Sequence, residues 1–133
     1  MSILIADDAP DVCSLLTHWL RNHHTACVHS GAEALEALSL LHFDLVITDI
    51  LMPDISGLDV IRRLKQSQPW VKVLAISGGG RFVNAADCVA QAQEIGADDV
   101  LLKPFDEIQL EQRVRGLIGI PEGSAGLFAE SSK

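Results

Sequence analysis

The sequence predicts an α/β domain in which a five-stranded parallel sheet carries helices on both faces. Short apolar runs alternate along the chain with amphipathic segments that bear helix-start signals, the pattern of a sheet covered on two sides. The runs also end in polar residues: Asp7-Asp8 after the first, Asp49 after the third, Ser77 after the fourth and Lys103-Pro104 after the fifth. Finally, 133 residues suit one domain with a core that needs no disulfide or metal staple, so no second domain is expected.

The elements follow in order. Ser2-Ile3-Leu4-Ile5-Ala6 is the first strand, and Pro10 then suits the first turn of a helix over about 10–22, with Asp8 a possible N-cap. A strand near 25–29 leads into Ser30-Gly31-Ala32-Glu33, a capping-box spacing that opens a helix over 31–41. The third strand, 43–48, runs up to Asp49. Gly57 opens a helix over 57–67 whose Leu58, Ile61 and Leu64 share one face, and Gln68-Pro69 ends it. Strand 71–76, helix 84–95 stopped by Gly96, strand 98–102 and helix 105–117 complete the series. The remainder, 118–133, is rich in breakers and is expected to be a flexible tail, with Leu127-Phe128 a weak candidate docking element.

If the first and third strands are parallel neighbours, Asp7, Asp8 and Asp49 meet at one sheet edge. Crowded carboxylates repel unless a cation sits among them, and an all-oxygen set suits Mg²⁺, which keeps several waters and shares its shell with phosphate. Ser77 and Lys103 add a hydroxyl donor and a cation at corresponding strand ends. The residues therefore describe a phosphate site.

The formal net charge of −8 leaves no basic stripe, so no direct nucleic-acid partner is expected. Cys13, Cys27 and Cys88 show no paired spacing, which fits the reducing cytoplasm. No run approaches the roughly 20 apolar residues of a membrane span. The five histidines are spread over several elements and do not suggest one metal site.

Taken together, Ala6-Asp7-Asp8, Asp44-Leu45-Val46-Ile47-Thr48-Asp49-Ile50-Leu51-Met52-Pro53 with Gly57, Ile76-Ser77-Gly78, and Gly96-Ala97-Asp98-Asp99 leading to Lys103-Pro104-Phe105 resemble the receiver domain of two-component response regulators. The likeness spans about residues 2–117. It implies a flavodoxin-like doubly wound sheet of order 2-1-3-4-5 with five helices. It also implies that Asp49 is the phosphoacceptor, taking a phosphoryl group from a histidine kinase or a histidine phosphotransfer protein. Asp8, Asp49 and the backbone carbonyl of Leu51 would then ligate Mg²⁺ directly and Asp7 through water, while Lys103 and Ser77 would bind phosphoryl oxygens. A cis bond before Pro104 belongs to the same implication, as does switching at Ser77 and Gly78 toward an unidentified protein partner.

Two departures stand out. Many receivers carry an aromatic residue three positions before the lysine, where this chain has Val100, stiff at χ1 and without a ring to swing. The stretch from Ser77 to Lys103 is also longer than usual by roughly four residues, about one helical turn, and contains Gly78-Gly79-Gly80-Arg81. A stand-alone, chemotaxis-regulator-like receiver, monomeric or weakly dimeric, is the expectation. It catalyses only its own phosphorylation and dephosphorylation. Two alternatives remain: a pseudo-receiver that binds partners without phosphate, and an Mg²⁺-dependent aspartyl-phosphate phosphohydrolase. Against the second, Leu51 stands where such enzymes typically carry another Asp.

Overall fold

A computed structural model describes residues 1–52, 54–78 and 85–119, with the side chains of 85–89 excepted. Its elements are β1 (Ser2–Ala6), α1 (Pro10–Trp19), β2 (His24–Val28), α2 (Gly31–Leu40), β3 (Leu45–Asp49), α3 (Gly57–Ser67), β4 (Lys72–Ser77), α4 (Ala85–Glu94), β5 (Asp99–Leu102) and α5 (Glu107–Ile118). The five strands form one parallel sheet of order β2-β1-β3-β4-β5. This is the expected doubly wound topology. The expected tail beyond Gly119, and the loop containing Gly79, Gly80 and Arg81, lie outside the described residues.

Alternation along the strands divides the core between the two faces. Leu4, Val46, Val73, Ala75 and Val100 pack with Ala34 and Leu38 of α2 and with Val60, Ile61 and Leu64 of α3. Ile3, Ile5, Ile47, Leu74, Ile76 and Leu101 pack with Cys13 and Leu16 of α1 and with Leu110 and Val114 of α5. β3, the middle strand, is buried along its whole length. It brings Asp49 to the sheet edge from the centre of the sheet.

Several local expectations change. α1 ends at Trp19 rather than near 22, and β3 and β4 each include the polar residue expected just beyond them, Asp49 and Ser77. Asp8 does not cap α1: the N-cap is Ala9, without a side-chain bond, and Asp7 Oδ1 instead accepts from the Ala9 amide at 2.9 Å. At α2 the Ser30 hydroxyl accepts from the Glu33 amide at 3.1 Å, but Glu33 reaches back to the amide of His29, one residue before the position a capping box uses. The N-cap of α5 is a complete capping box, Asp106 with Gln109.

Candidate functional site

Parallel register places the functional residues side by side. Ala6 pairs with Thr48, so the residues that follow, Asp7 and Asp49, leave adjacent strands at the same level. Asp49 pairs in turn with Ile76, and Ser77 with Leu102. The Lys103 amide donates to the Ser77 carbonyl at 2.8 Å, extending β5 into the site, and the Lys103-Pro104 bond is cis.

Carboxylate oxygens of Asp7, Asp8 and Asp49 all lie within 4.8 Å of one another. Asp7 is 1% exposed and Asp49 8%, whereas Asp8 faces solvent. Lys103 Nζ lies 3.4 Å from Asp49 Oδ2 and 3.6 Å from Asp7 Oδ2. Asp49 Oδ1 accepts from the Leu51 amide at 3.1 Å. Burial raises the Asp49 carboxyl above its ordinary value, with the Asp7 charge adding to the rise, while the Lys103 ammonium and the Leu51 amide oppose it. Asp7 Oδ2 is buried yet without a hydrogen-bond partner, an arrangement that ordinarily costs free energy.

A divalent cation fits this donor set. Three converging carboxylates, one open to solvent and one with a buried oxygen that accepts no hydrogen bond, match a hard ion that retains waters. The fit rests on charge: three acids face one lysine.

The remaining switch candidates divide. Ser77 is buried at the end of β4, and Gly78 beyond it is exposed, with Lys103 Cδ 3.4 Å from where its Cβ would stand. Val100 is 8% exposed and packs into the core on the α2–α3 side. Its carbonyl accepts from Arg113, which also pairs with Asp99 at 2.7 Å. Val100 therefore offers no polar or aromatic handle to the site.

The supporting contacts had no sign in the sequence because the partners are distant along the chain. A Cβ on Gly57 would overlap the backbone carbonyl of Asp49, and the Gly57 amide donates to the Ile50 carbonyl at 2.8 Å. The exposed Asp54 accepts from the amides of Gly31 and Ala32, both at 3.0 Å, tying the loop after Asp49 to the start of α2. These amides hold the Asp54 carboxyl below its ordinary value, the Ala32 amide most. Cys13 Sγ donates to the Asp7 carbonyl at 3.4 Å, and His29 Nδ1 lies 3.2 Å from the same oxygen.

A parallel sheet with helices on both faces, carrying an acidic trio, a lysine and a buried serine at its strand ends, defines a receiver. The chain belongs to that family: the Response regulator receiver domain model matches residues 3–115. It is 36% identical over 115 residues to the DNA-binding response regulator MtrA of Mycolicibacterium smegmatis, covering 85% of this chain and 48% of that protein. To the transcriptional regulatory protein TrcR of Mycobacterium tuberculosis it is 31% identical over 121 residues, covering 87% of this chain and 44% of that protein. The chain thus spans about half the length of the curated relatives it matches. Among solved structures, the signal receiver domain of a signal transduction histidine kinase from Syntrophus aciditrophicus superposes with a TM-score of 0.77 at 32% identity, covering 88% of this chain and 89% of that one. A response regulator receiver domain protein from Clostridium thermocellum does so with a TM-score of 0.80 at 27% identity, covering 88% and 93%.

These relatives correct one expectation. A direct nucleic-acid partner was excluded on net charge, yet the matched proteins include one named DNA-binding and others named transcriptional regulators. Net charge was the wrong test, because the matched region is about half of each such protein and its charge does not report on the rest. Among the described residues, no helix is long and apolar enough to cross a membrane.

Proposed function

We propose that this receiver accepts a phosphoryl group on Asp49 from a phosphohistidine and thereby changes its affinity for a downstream partner. The observation that carries the reading is the convergence of Asp7, Asp8 and Asp49 oxygens within 4.8 Å, opposite Lys103. An Asp49 oxygen attacks phosphorus in line, the P–N bond breaks, and the donor imidazole leaves, giving an acyl phosphate. Asp8, Asp49 and the Leu51 carbonyl would hold Mg²⁺ directly and Asp7 through water; the ion supplies charge neutralisation between nucleophile and phosphoryl oxygens. Lys103, 3.4 Å from Asp49 Oδ2, moves its ion pair onto a phosphoryl oxygen as charge accumulates there. The Leu51 amide orients Asp49 through Oδ1 and leaves Oδ2 to react.

Ser77 donates its hydroxyl to another phosphoryl oxygen, and Gly78 lets the loop follow. With Val100 buried and lacking a ring, the output runs through that loop and α4 rather than through the fifth strand. The chain acts on no other substrate, catalysing only its own phosphorylation and dephosphorylation, in the cytoplasm. Likeness to relatives named transcriptional regulators supports control of transcription as the downstream effect.

Incubation with acetyl phosphate and Mg²⁺, followed by mass spectrometry, tests the reading. One phosphate on Asp49 that requires Mg²⁺ is expected. Stable labelling elsewhere, or none, overturns it.

A further inference from the structure

Behind the acidic site, where α1 crosses β2, lies a group of sulfur and nitrogen ligands that phosphoryl transfer does not use. Cys13, on α1, is buried; Cys27, on the edge strand β2, is exposed. Cys27 Sγ lies 3.0 Å from Thr17 Oγ1 and 3.7 Å from the Cys13 carbonyl, so it sits over one turn of α1. Cys13 Sγ in turn lies 3.8 Å from the carbonyl of Val28, the residue next to Cys27, so each sulfur sits against the other cysteine's stretch of backbone. Cys13 Sγ also contacts the Asp7 carbonyl at 3.4 Å and His29 Nδ1 at 3.6 Å.

We propose that Cys13 and Cys27 form a reversible disulfide on exposure to a hydroperoxide, and that closing it withdraws the Cys13 thiol from Asp7 and weakens the acidic site. Exposure sets the order of events. Cys27 sulfur attacks one peroxide oxygen, the O–O bond breaks and water leaves, giving a sulfenic acid. Cys13 sulfur then attacks Cys27 sulfur; the S–O bond breaks and the hydroxyl departs as water with the Cys13 proton. Two thiols and one hydrogen peroxide become one disulfide and two waters, the sulfurs losing the two electrons that the peroxide gains. Cys13, being buried, is shielded from the peroxide until that step. Its position beside Cys27 then favours the attack.

The coupling to function follows from what holds Asp7. Its amide donates to the Val28 carbonyl at 3.1 Å, its carbonyl faces Cys13 and His29, and its Oδ1 accepts from Ala9. Disulfide geometry requires sulfurs about 2.05 Å apart, and forming the bond removes the S–H that Cys13 donates to the Asp7 carbonyl. The part of the proposal concerning phosphoryl uptake rests on the function proposed above; disulfide formation does not.

The full chain is treated with hydrogen peroxide, blocked with N-ethylmaleimide and digested after Arg21, which separates the two cysteines. A dithiothreitol-reversible link between the Cys13 and Cys27 peptides is expected, and it disappears in Cys27→Ser. Cys13 remaining fully alkylatable while Cys27 is oxidised overturns the disulfide. In the oxidised protein, amide exchange at Ala9 rises and phosphoryl uptake from acetyl phosphate slows at least about fivefold, a modest coupling between sites. Unchanged exchange and uptake overturn the coupling. Absence of uptake in the reduced protein counts against the phosphoacceptor reading alone and leaves the cross-link result standing.

Discussion

The side chain that Gly57 lacks would overlap the backbone carbonyl of Asp49. The first turn of α3 thus packs directly on the peptide that carries the proposed nucleophile, with a Gly57 amide bond to Ile50 at 2.8 Å fixing the approach. Backbone cannot yield as a flexible side-chain end does. Gly57→Ala is therefore expected to destabilise the fold by about 1–3 kcal/mol, as overpacking ordinarily does, and to slow phosphoryl uptake. Urea unfolding measures the first; a loss within about 0.5 kcal/mol, the range of an ordinary surface change, would show that the contact relaxes freely.

Asp49→Asn is expected to abolish phosphoryl uptake and to stabilise the metal-free protein at neutral pH. The sign follows from the raised folded-state value of Asp49. A carboxyl whose folded value lies above its unfolded value of 3.8 keeps its contribution at low pH, and loses it as pH rises from there through the folded value. The amide has no such loss. Thermal unfolding from pH 3 to pH 7 should show the two proteins converging at the acidic end and the variant ahead at the neutral end; the reverse order would contradict burial as the dominant cause.

Mg²⁺ is expected to raise the thermal midpoint, since an ion that binds the folded state at 100 times its dissociation constant stabilises by about 2.7 kcal/mol. Asp8→Ala should remove most of that rise. The substitution costs no helix cap, because Ala9 is the N-cap and makes no side-chain bond. With Asp8 solvent-facing, its removal should relieve only part of the repulsion in the apo protein. An undiminished Mg²⁺ response in the variant would place the ion elsewhere.

Lys103→Arg should retain folding while slowing phosphoryl uptake and switching. The lysine reaches both Asp49 and Asp7 as a compact ammonium, at 3.4 and 3.6 Å. A planar guanidinium presents its donors in a fixed fork and cannot occupy that position in the same way. Uptake and beryllofluoride binding equal to wild type would reduce Lys103 to a general counter-charge.

By itself the sequence determined the alternation of strands and helices, the helix starts at Pro10, Ser30 and Gly57, and the polar residues at the strand ends. These are legible because periodicity, caps and breakers act within a few residues, and because four receiver-like motifs stand in order. Only the tertiary structure decided what depends on distant partners. It made Asp7 rather than Asp8 the acceptor for the amide at the start of α1, gave Asp54 the first amides of α2, and pressed Gly57 against Asp49. It also set Cys13 and His29 against the Asp7 carbonyl. The physical reason is that burial and electrostatics belong to the packed sheet: Asp49 becomes a buried, lysine-paired carboxyl, raised above its ordinary value by burial, only when β1, β3 and β5 end at one level.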